Sequence, residues 1–190
     1  MSLKSIVSTI TLAVLLQGCV AVAVVGVVGG ASVATDNRSL GNQIDDQKIE
    51  MDANAKLSKS KALNDNTNLH VVSVNGSVLV VGQAPNSYLR DQAIKAINEV
   101  RGVKQLHNQI RVSNTTSFTT KTNDVWLTSK VKAALFGTDK LDATNIKVVT
   151  ENAEVFLMGV ISQAEATIAV DIARNVGGVN RVFKIFEYLD

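Results

Sequence analysis

From Leu69 onward the chain reads Leu69-His70-Val71-Val72-Ser73-Val74, then Asn75-Gly76, then Ser77-Val78-Leu79-Val80-Val81-Gly82. Two β-branched, apolar runs split by Asn-Gly predict a β-hairpin, because both central turn positions need positive φ. The pattern returns 77 residues later as Ile146-Lys147-Val148-Val149-Thr150-Glu151, Asn152-Ala153 and Glu154-Val155-Phe156-Leu157-Met158-Gly159. Asn152-Ala153 is poorer turn chemistry at the same place. A helical stripe follows each hairpin: Ala93, Ile94, Ile97 and Val100 within residues 87–100, matched by Ala169, Val170, Ala173 and Val176 within 162–176. The first copy carries one extra residue, near Pro85. Gly102-Val103 and Gly178-Val179 then lead into last strands at 106–112 and 182–189, and a further helix precedes each hairpin, at about 46–58 and 124–136.

Each copy therefore reads α-β-β-α-β, an α+β unit with a three-stranded mixed sheet covered by two helices. A sheet that small is marginal alone, so both helices must cover its apolar face. Residues 35–47 are polar, and Ser113-Asn114-Thr115-Thr116-Ser117-Phe118-Thr119-Thr120-Lys121-Thr122 is almost pure Ser/Thr; both read as linkers. The expected organisation is a signal peptide at 1–18, a tether and linker at 19–45, a first domain at 46–112, a linker at 113–122 and a second domain at 123–190. A linker of that composition allows either docking or free motion of the two domains.

The N-terminus has one cation, Lys4, then an apolar run over residues 6–16 and Gln17-Gly18-Cys19. That is the layout of a secretory signal peptide. Leu16-Gln17-Gly18-Cys19 resembles the bacterial lipobox, whose cysteine thiol accepts a thioether-linked diacylglycerol before cleavage. Cys19 is the chain's one cysteine, so it is the expected lipid attachment site; a palmitate-type set of three acyl chains anchors far more firmly than one chain. Val20, in place of Asp, matches lipoproteins sorted to the outer membrane. Uncleaved, residues 6–34 are long enough to span a bilayer. Their Gly/Val-rich second half and the lack of a flanking basic cluster favour a surface tether instead.

Composition narrows the function classes. Nineteen basic and seventeen acidic residues give a net charge of +2. Without Lys4 the balance is about +1, no general signal for nucleic acid. One cysteine excludes an internal disulfide and any zinc site needing two thiolates. No nucleophile elbow, phosphate-binding glycine loop or paired-histidine metal motif occurs. His70 and His107 are isolated, and Asp45-Asp46 and Asp124 read as linker and helix-start residues whose carboxylates suit free helix amides. No catalytic residue, metal or cofactor is expected.

The hairpin ending in Gly, the Ala/Ile/Val helix and the Gly-Val before the last strand resemble the BON domain of bacterial periplasmic and envelope proteins. A lipobox, a polar linker and two such modules are similar to the dual-BON outer-membrane lipoproteins of the DolP (YraP) family. Leu15-Leu16-Gln17-Gly18-Cys19-Val20, Asp124-Val125-Trp126 and residues 150–159 carry the match; Ala153 departs from the family's Gly. The resemblance implies a non-enzymatic lipoprotein at the periplasmic face of the outer membrane, with roles in envelope integrity and cell division. It implies partners among outer-membrane assembly or peptidoglycan-remodelling proteins; apart from the resemblance, the charge balance gives no nucleic-acid partner, and a monomer is expected.

The duplication supplies its own control. Of eight aromatic residues, Tyr88 alone lies in the first copy, and Phe118 is in the linker. Phe156, Phe183 and Phe186 fall in strand patterns and read as core. On a helical wheel, Leu127, Val131, Ala134 and Leu135 share one side of helix 124–136. Trp126, Ser129, Lys130, Ala133 and Phe136 share the other, with Val125 and Lys132 on its edge. The first copy has Lys48, Asp52, Asn54 and Ser58 at matching positions, a polar face. Trp favours the headgroup level of a bilayer, and each Lys beside an anionic leaflet contributes on the order of 1 kcal/mol. The family resemblance likewise implies anionic-phospholipid binding at this helix, on Val125, Trp126, Ser129, Lys130, Lys132, Ala133 and Phe136. Three readings stay open: a lipid face, an adaptor surface in which Trp126 docks a partner protein or the first domain, or a passive structural spacer.

Overall fold

A computed structural model describes residues 39–113 and 118–189; Cys19 and the segment read as signal peptide and tether lie outside the described residues. The first domain comprises α1 (Leu40–Lys59), α2 (Lys61–Asn66), β1 (Asn68–Val74), β2 (Ser77–Ala84), α3 (Ser87–Asn98) and β3 (Gln105–Val112). The second comprises α4 (Phe118–Phe136), a 3₁₀ turn (Ala143–Asn145), β4 (Ile146–Glu151), β5 (Glu154–Ile161), α5 (Gln163–Arg174) and β6 (Arg181–Tyr188).

Both hairpins form in the expected register, with Val74 opposite Ser77 and Glu151 opposite Glu154. Asn75 and Gly76 take φ of 52° and 79°, and Asn152 and Ala153 take 51° and 59°. Ala153 therefore adopts the same left-handed turn as Gly76, at a cost of about 1–2 kcal/mol for its Cβ. β3 and β6 join β2 and β5 in parallel, through α3 and α5, so each sheet is mixed with the second strand of its hairpin at the centre. Gly82 must lack a side chain, because a Cβ there would collide with the Asn68 carbonyl oxygen.

Both first helices begin earlier than the hydrophobic pattern indicates. Ser39 caps α1, its Oγ accepting from the Asn42 amide at 3.2 Å, so the helix enters the segment read as linker. α4 begins at Phe118, within the Ser/Thr segment; Thr is a poor helix former but not a breaker. Asp46 and Asp124 consequently sit inside their helices, not at the starts. Both are buried, and each reaches across to its own hairpin turn. Asp46 accepts from the Ser73 hydroxyl at 2.7 Å, the Asn75 amide at 2.7 Å and the Gly76 amide at 2.9 Å. Asp124 accepts from the Asn152 and Ala153 amides, both at 2.8 Å. The helix-start reading of these two carboxylates is thus corrected: they lock helix to hairpin. The equivalent placement of the two in both copies was the signal for that role.

Three apolar layers hold the described residues together. One lies between the first sheet and its helices, around Ile49, Ala53, Val78, Val80, Ala93 and Ile97. A second, around Val131, Leu135, Val155, Leu157, Ala169 and Ala173, does the same in the second domain. The third joins the domains: Val72, Val74, Leu79 and Val81 pack against Val149, Phe156, Met158 and Val160. The order is helix, sheet, sheet, helix. Val78-Leu79-Val80-Val81 is continuously apolar because alternate residues face the helices and the other domain. Phe156 stacks on Phe183 at 4.8 Å in this middle layer, while Phe186 packs on the helix side.

Polar contacts stitch the rim of the middle layer. Lys147 Nζ donates to Glu50 Oε1 and the Ser73 carbonyl, both at 3.0 Å. Asn75 Nδ2 donates to Glu187 at 2.7 Å, Arg111 pairs with Glu154 at 2.6 Å, and Gln83 Nε2 donates to Glu151.

Candidate functional site

α4 separates into two faces for a local reason: its residues on one side meet β4 and α5, and among the described residues no element covers the other side. Leu127, Val131 and Leu135 are buried, with Ala134 half-buried. On the opposite side Val125, Trp126 and Phe136 are 69%, 57% and 62% exposed, and the first domain packs on Val149, Phe156, Met158 and Val160 of the second sheet rather than on Trp126. The domains meet through their sheets, so the domain-docking form of the adaptor reading is overturned. Ser129, Lys132 and Ala133 are exposed on the same face, and Lys130 is half-buried. All seven residues expected at the site are therefore brought to one helix surface. Ten residues separate Trp126 from Phe136, a rise of about 15 Å.

Two of the polar groups on this face are already engaged. Lys130 Nζ stands 4.3 Å from the centroid of the Trp126 ring and donates to the Gly177 carbonyl at 2.9 Å. Ser129 Oγ donates to the Val125 carbonyl at 3.1 Å. On the other edge, a cavity of ≈ 230 Å³ opens beside Val125, lined by Asn68, His70, Lys121, Thr128, Thr150 and Glu151 among others. Lys121 Nζ donates to Asn68 Oδ1 of the first domain at 3.0 Å. Burial pushes the Glu151 carboxyl above its ordinary range, the Gln83 hydrogen bond opposes this, and the nearby Asp124 charge adds to it. Neither the Gly177 carbonyl nor this cavity was legible in the sequence, since both are made by segments distant along the chain.

The first domain's equivalent face differs from the expectation in one respect. Lys48 and Asp52 form an i,i+4 pair at 3.5 Å, but Met51, 72% exposed, and Ile44, 66% exposed, also lie on α1. The face is free of aromatics, yet not wholly polar. Elsewhere, His107 meets the Ser77 hydroxyl at 3.0 Å, and burial lowers its pKa. Among the described residues there is no cluster of His, Cys, Asp and Glu suited to a metal, and no helix is long and apolar enough to cross a membrane.

The BON domain model matches residues 45–114 and 123–187. The chain is 40% identical over 188 residues to the outer membrane lipoprotein DolP of Haemophilus influenzae, covering 99% of this chain and 97% of that protein. It is 38% identical over 154 residues to the 21 kDa hemolysin of Actinobacillus pleuropneumoniae, covering 81% of this chain and 79% of that protein. Over 161 residues it is 30% identical to the osmotically-inducible protein Y of Escherichia coli, covering 80% and 77%.

Proposed function

The chain belongs to the BON-domain family, as an outer-membrane lipoprotein of the DolP kind, and from that premise we propose that α4 of its second domain binds anionic phospholipid at the periplasmic face of the membrane. The observation that carries this is the row of Val125, Trp126 and Phe136 exposed on a helix whose other face is buried. An indole half apolar and half wet suits the headgroup level, and Lys130 and Lys132 flank the row on opposite edges.

The contact is weak by design of its parts. Each Lys near an anionic leaflet contributes on the order of 1 kcal/mol, too little for firm capture from solution. Attachment at Cys19 changes this by keeping the domain at high local concentration beside the bilayer. Nineteen residues lie between Cys19 and Ser39, an extended reach of up to about 70 Å, ample for α4 to turn to the surface. Binding of this kind concentrates a non-enzymatic lipoprotein wherever anionic lipid is enriched, which supports the envelope and division-site roles implied by its family.

The test uses Trp126, the chain's one tryptophan, in a chain beginning at residue 35. Titration with anionic vesicles is expected to shift its emission to the blue, and added salt to weaken the shift; neutral vesicles should act far less. Trp126→Glu should abolish binding while leaving the circular dichroism spectrum unchanged, since the ring is exposed. An unchanged affinity in a folded variant, or no shift with any vesicle, would sink the lipid reading and leave a partner protein as the occupant of this face.

A further inference from the structure

The two lysines of the α4 face are not equivalent, and, resting on the lipid reading above, we infer that Lys130 is a positioning residue that holds the Trp126 ring while Lys132 is the cation that meets the headgroup. Lys130 Nζ lies 4.3 Å from the indole centroid and 2.9 Å from the Gly177 carbonyl oxygen. One ammonium thus bridges the ring, four residues back on its own helix, to the loop between α5 and β6. An ammonium over an indole face is attracted by the ring's quadrupole, and more strongly where it is partly desolvated. Lys130 is half-buried, whereas Lys132 is exposed with no partner among the described residues.

The carbonyl comes from backbone, so the clamp depends on where the loop passes rather than on a second side chain. A Cβ at Gly177 would stand 3.9 Å from Lys130 Nζ, so the loop brings its chain close to the ammonium. The first domain lacks the ring half of this arrangement: Lys48 and Asp52 stand at the positions of Trp126 and Lys130, and the helix lysine that reaches its equivalent loop, Lys56 to the Glu99 carbonyl at 3.3 Å, has no aromatic beside it. Holding the ring before contact removes rotamer freedom that would otherwise be lost on binding. Lys132 has made no such commitment and can reach a phosphate.

The experiment compares Lys130→Met, Lys130→Arg and Lys132→Met in the chain from residue 35, which carries both domains and every described contact between them. In the free protein, Lys130→Met should raise acrylamide quenching of Trp126 and move its emission to the red. Lys130→Arg, which keeps the cation and the donor, should restore the wild-type signal, and Lys132→Met should not disturb it. On anionic vesicles, Lys132→Met should weaken binding about fivefold and flatten its salt dependence, the effect of one lost surface charge. Lys130→Met should keep more of that salt dependence and lose affinity for anionic and neutral vesicles alike. Unchanged quenching in Lys130→Met overturns the positioning role. A salt dependence lost in Lys130→Met and kept in Lys132→Met overturns the division of labour. If the wild type binds no vesicle at all, the lipid reading and the headgroup role of Lys132 fall together, while the quenching contrast in the free protein still decides the role of Lys130.

Discussion

The same two positions carry different chemistry in the two domains. On α1, Lys48 and Asp52 form an exposed ion pair one turn apart, the kind that contributes only a few tenths of a kcal/mol. On α4, one turn apart at the equivalent sites, Trp126 and Lys130 form a cation–ring contact backed by the Gly177 carbonyl. The residues beneath them match: Ile49, Ala53 and Leu57 are buried in one domain, and Leu127, Val131 and Leu135 in the other. Duplication preserved the face that the sheet requires and left the outer face free to specialise. The difference shows which face the fold leaves unconstrained, because the fold does not ask for an exposed tryptophan.

The largest expected effect concerns what the two sheets share. Phe156 and its counterpart Leu79 are both buried in the layer between the domains. Phe156→Ala should cost about 3–5 kcal/mol and Leu79→Ala about 2–5, read as shifts in the urea midpoint with a single transition. If the domains were held only by their linker, either change would destabilise its own domain alone and the transition would split in two.

Next comes the buried carboxylate. Asp46 receives three hydrogen bonds and Asp124 two in the bonds that tie them to the hairpins. The difference arises because the hydroxyl of Thr150, at the position of Ser73, pairs with the hydroxyl of Thr128 at 2.8 Å instead of with the carboxylate. Removing either carboxylate strands buried donors at roughly 1–3 kcal/mol for each group left unpaired. Asp46→Ala should therefore lose more stability than Asp124→Ala in chemical denaturation. Equal losses would show that the turn amides alone matter.

A smaller effect lies in the turns. Ala153 at φ 59° carries strain that Gly76 avoids, so Ala153→Gly should stabilise the protein by about 1 kcal/mol, seen as a higher melting temperature. Gly76→Ala should do the reverse and more, since a Cβ there would press on the Gly102 carbonyl at 2.8 Å.

The smallest is a pH dependence at the seam. Burial raises the Glu151 pKa, so the native state holds that proton more tightly than the unfolded chain does. Stability from this group is then greatest in acid and declines as pH rises from the ordinary carboxylate range through the raised value. Glu165 works in the opposite sense: its hydrogen bonds with Ser162 lower its pKa, so its contribution is lost as pH falls. Glu151→Gln keeps an acceptor for Gln83 and removes the charge. The wild type should therefore lose stability relative to Glu151→Gln across that rise in pH, and parallel curves for the two proteins would show that Glu151 is not penalised by burial.

Much of this molecule was legible along the chain. Asn75-Gly76 announced a hairpin, its repeat announced a second domain, and the spacing of Leu127, Val131 and Leu135 told which side of α4 faces inward. It followed that Trp126 and Phe136 face outward. Less legible were the starts of α1 and α4, set by a cap at Ser39 and by chain with no strong breaker, and the short α2, which lacks any periodic stripe.

Periodicity and turn chemistry act over a few residues, so the sequence by itself determined the two α-β-β-α-β units, their register and the aromatic helix face. It also carried the pattern in which Val78-Leu79-Val80-Val81 is apolar on both sides. What covers the second side is a matter of which distant surface is complementary, and only the tertiary structure decided it: the two sheets cover each other. The same holds for the hydrogen bonds of Asp46 and Asp124 to their hairpins and of Lys130 to Gly177, whose partners lie 27 to 47 residues away. Their roles depend on distances that folding creates, and no local pattern encodes those.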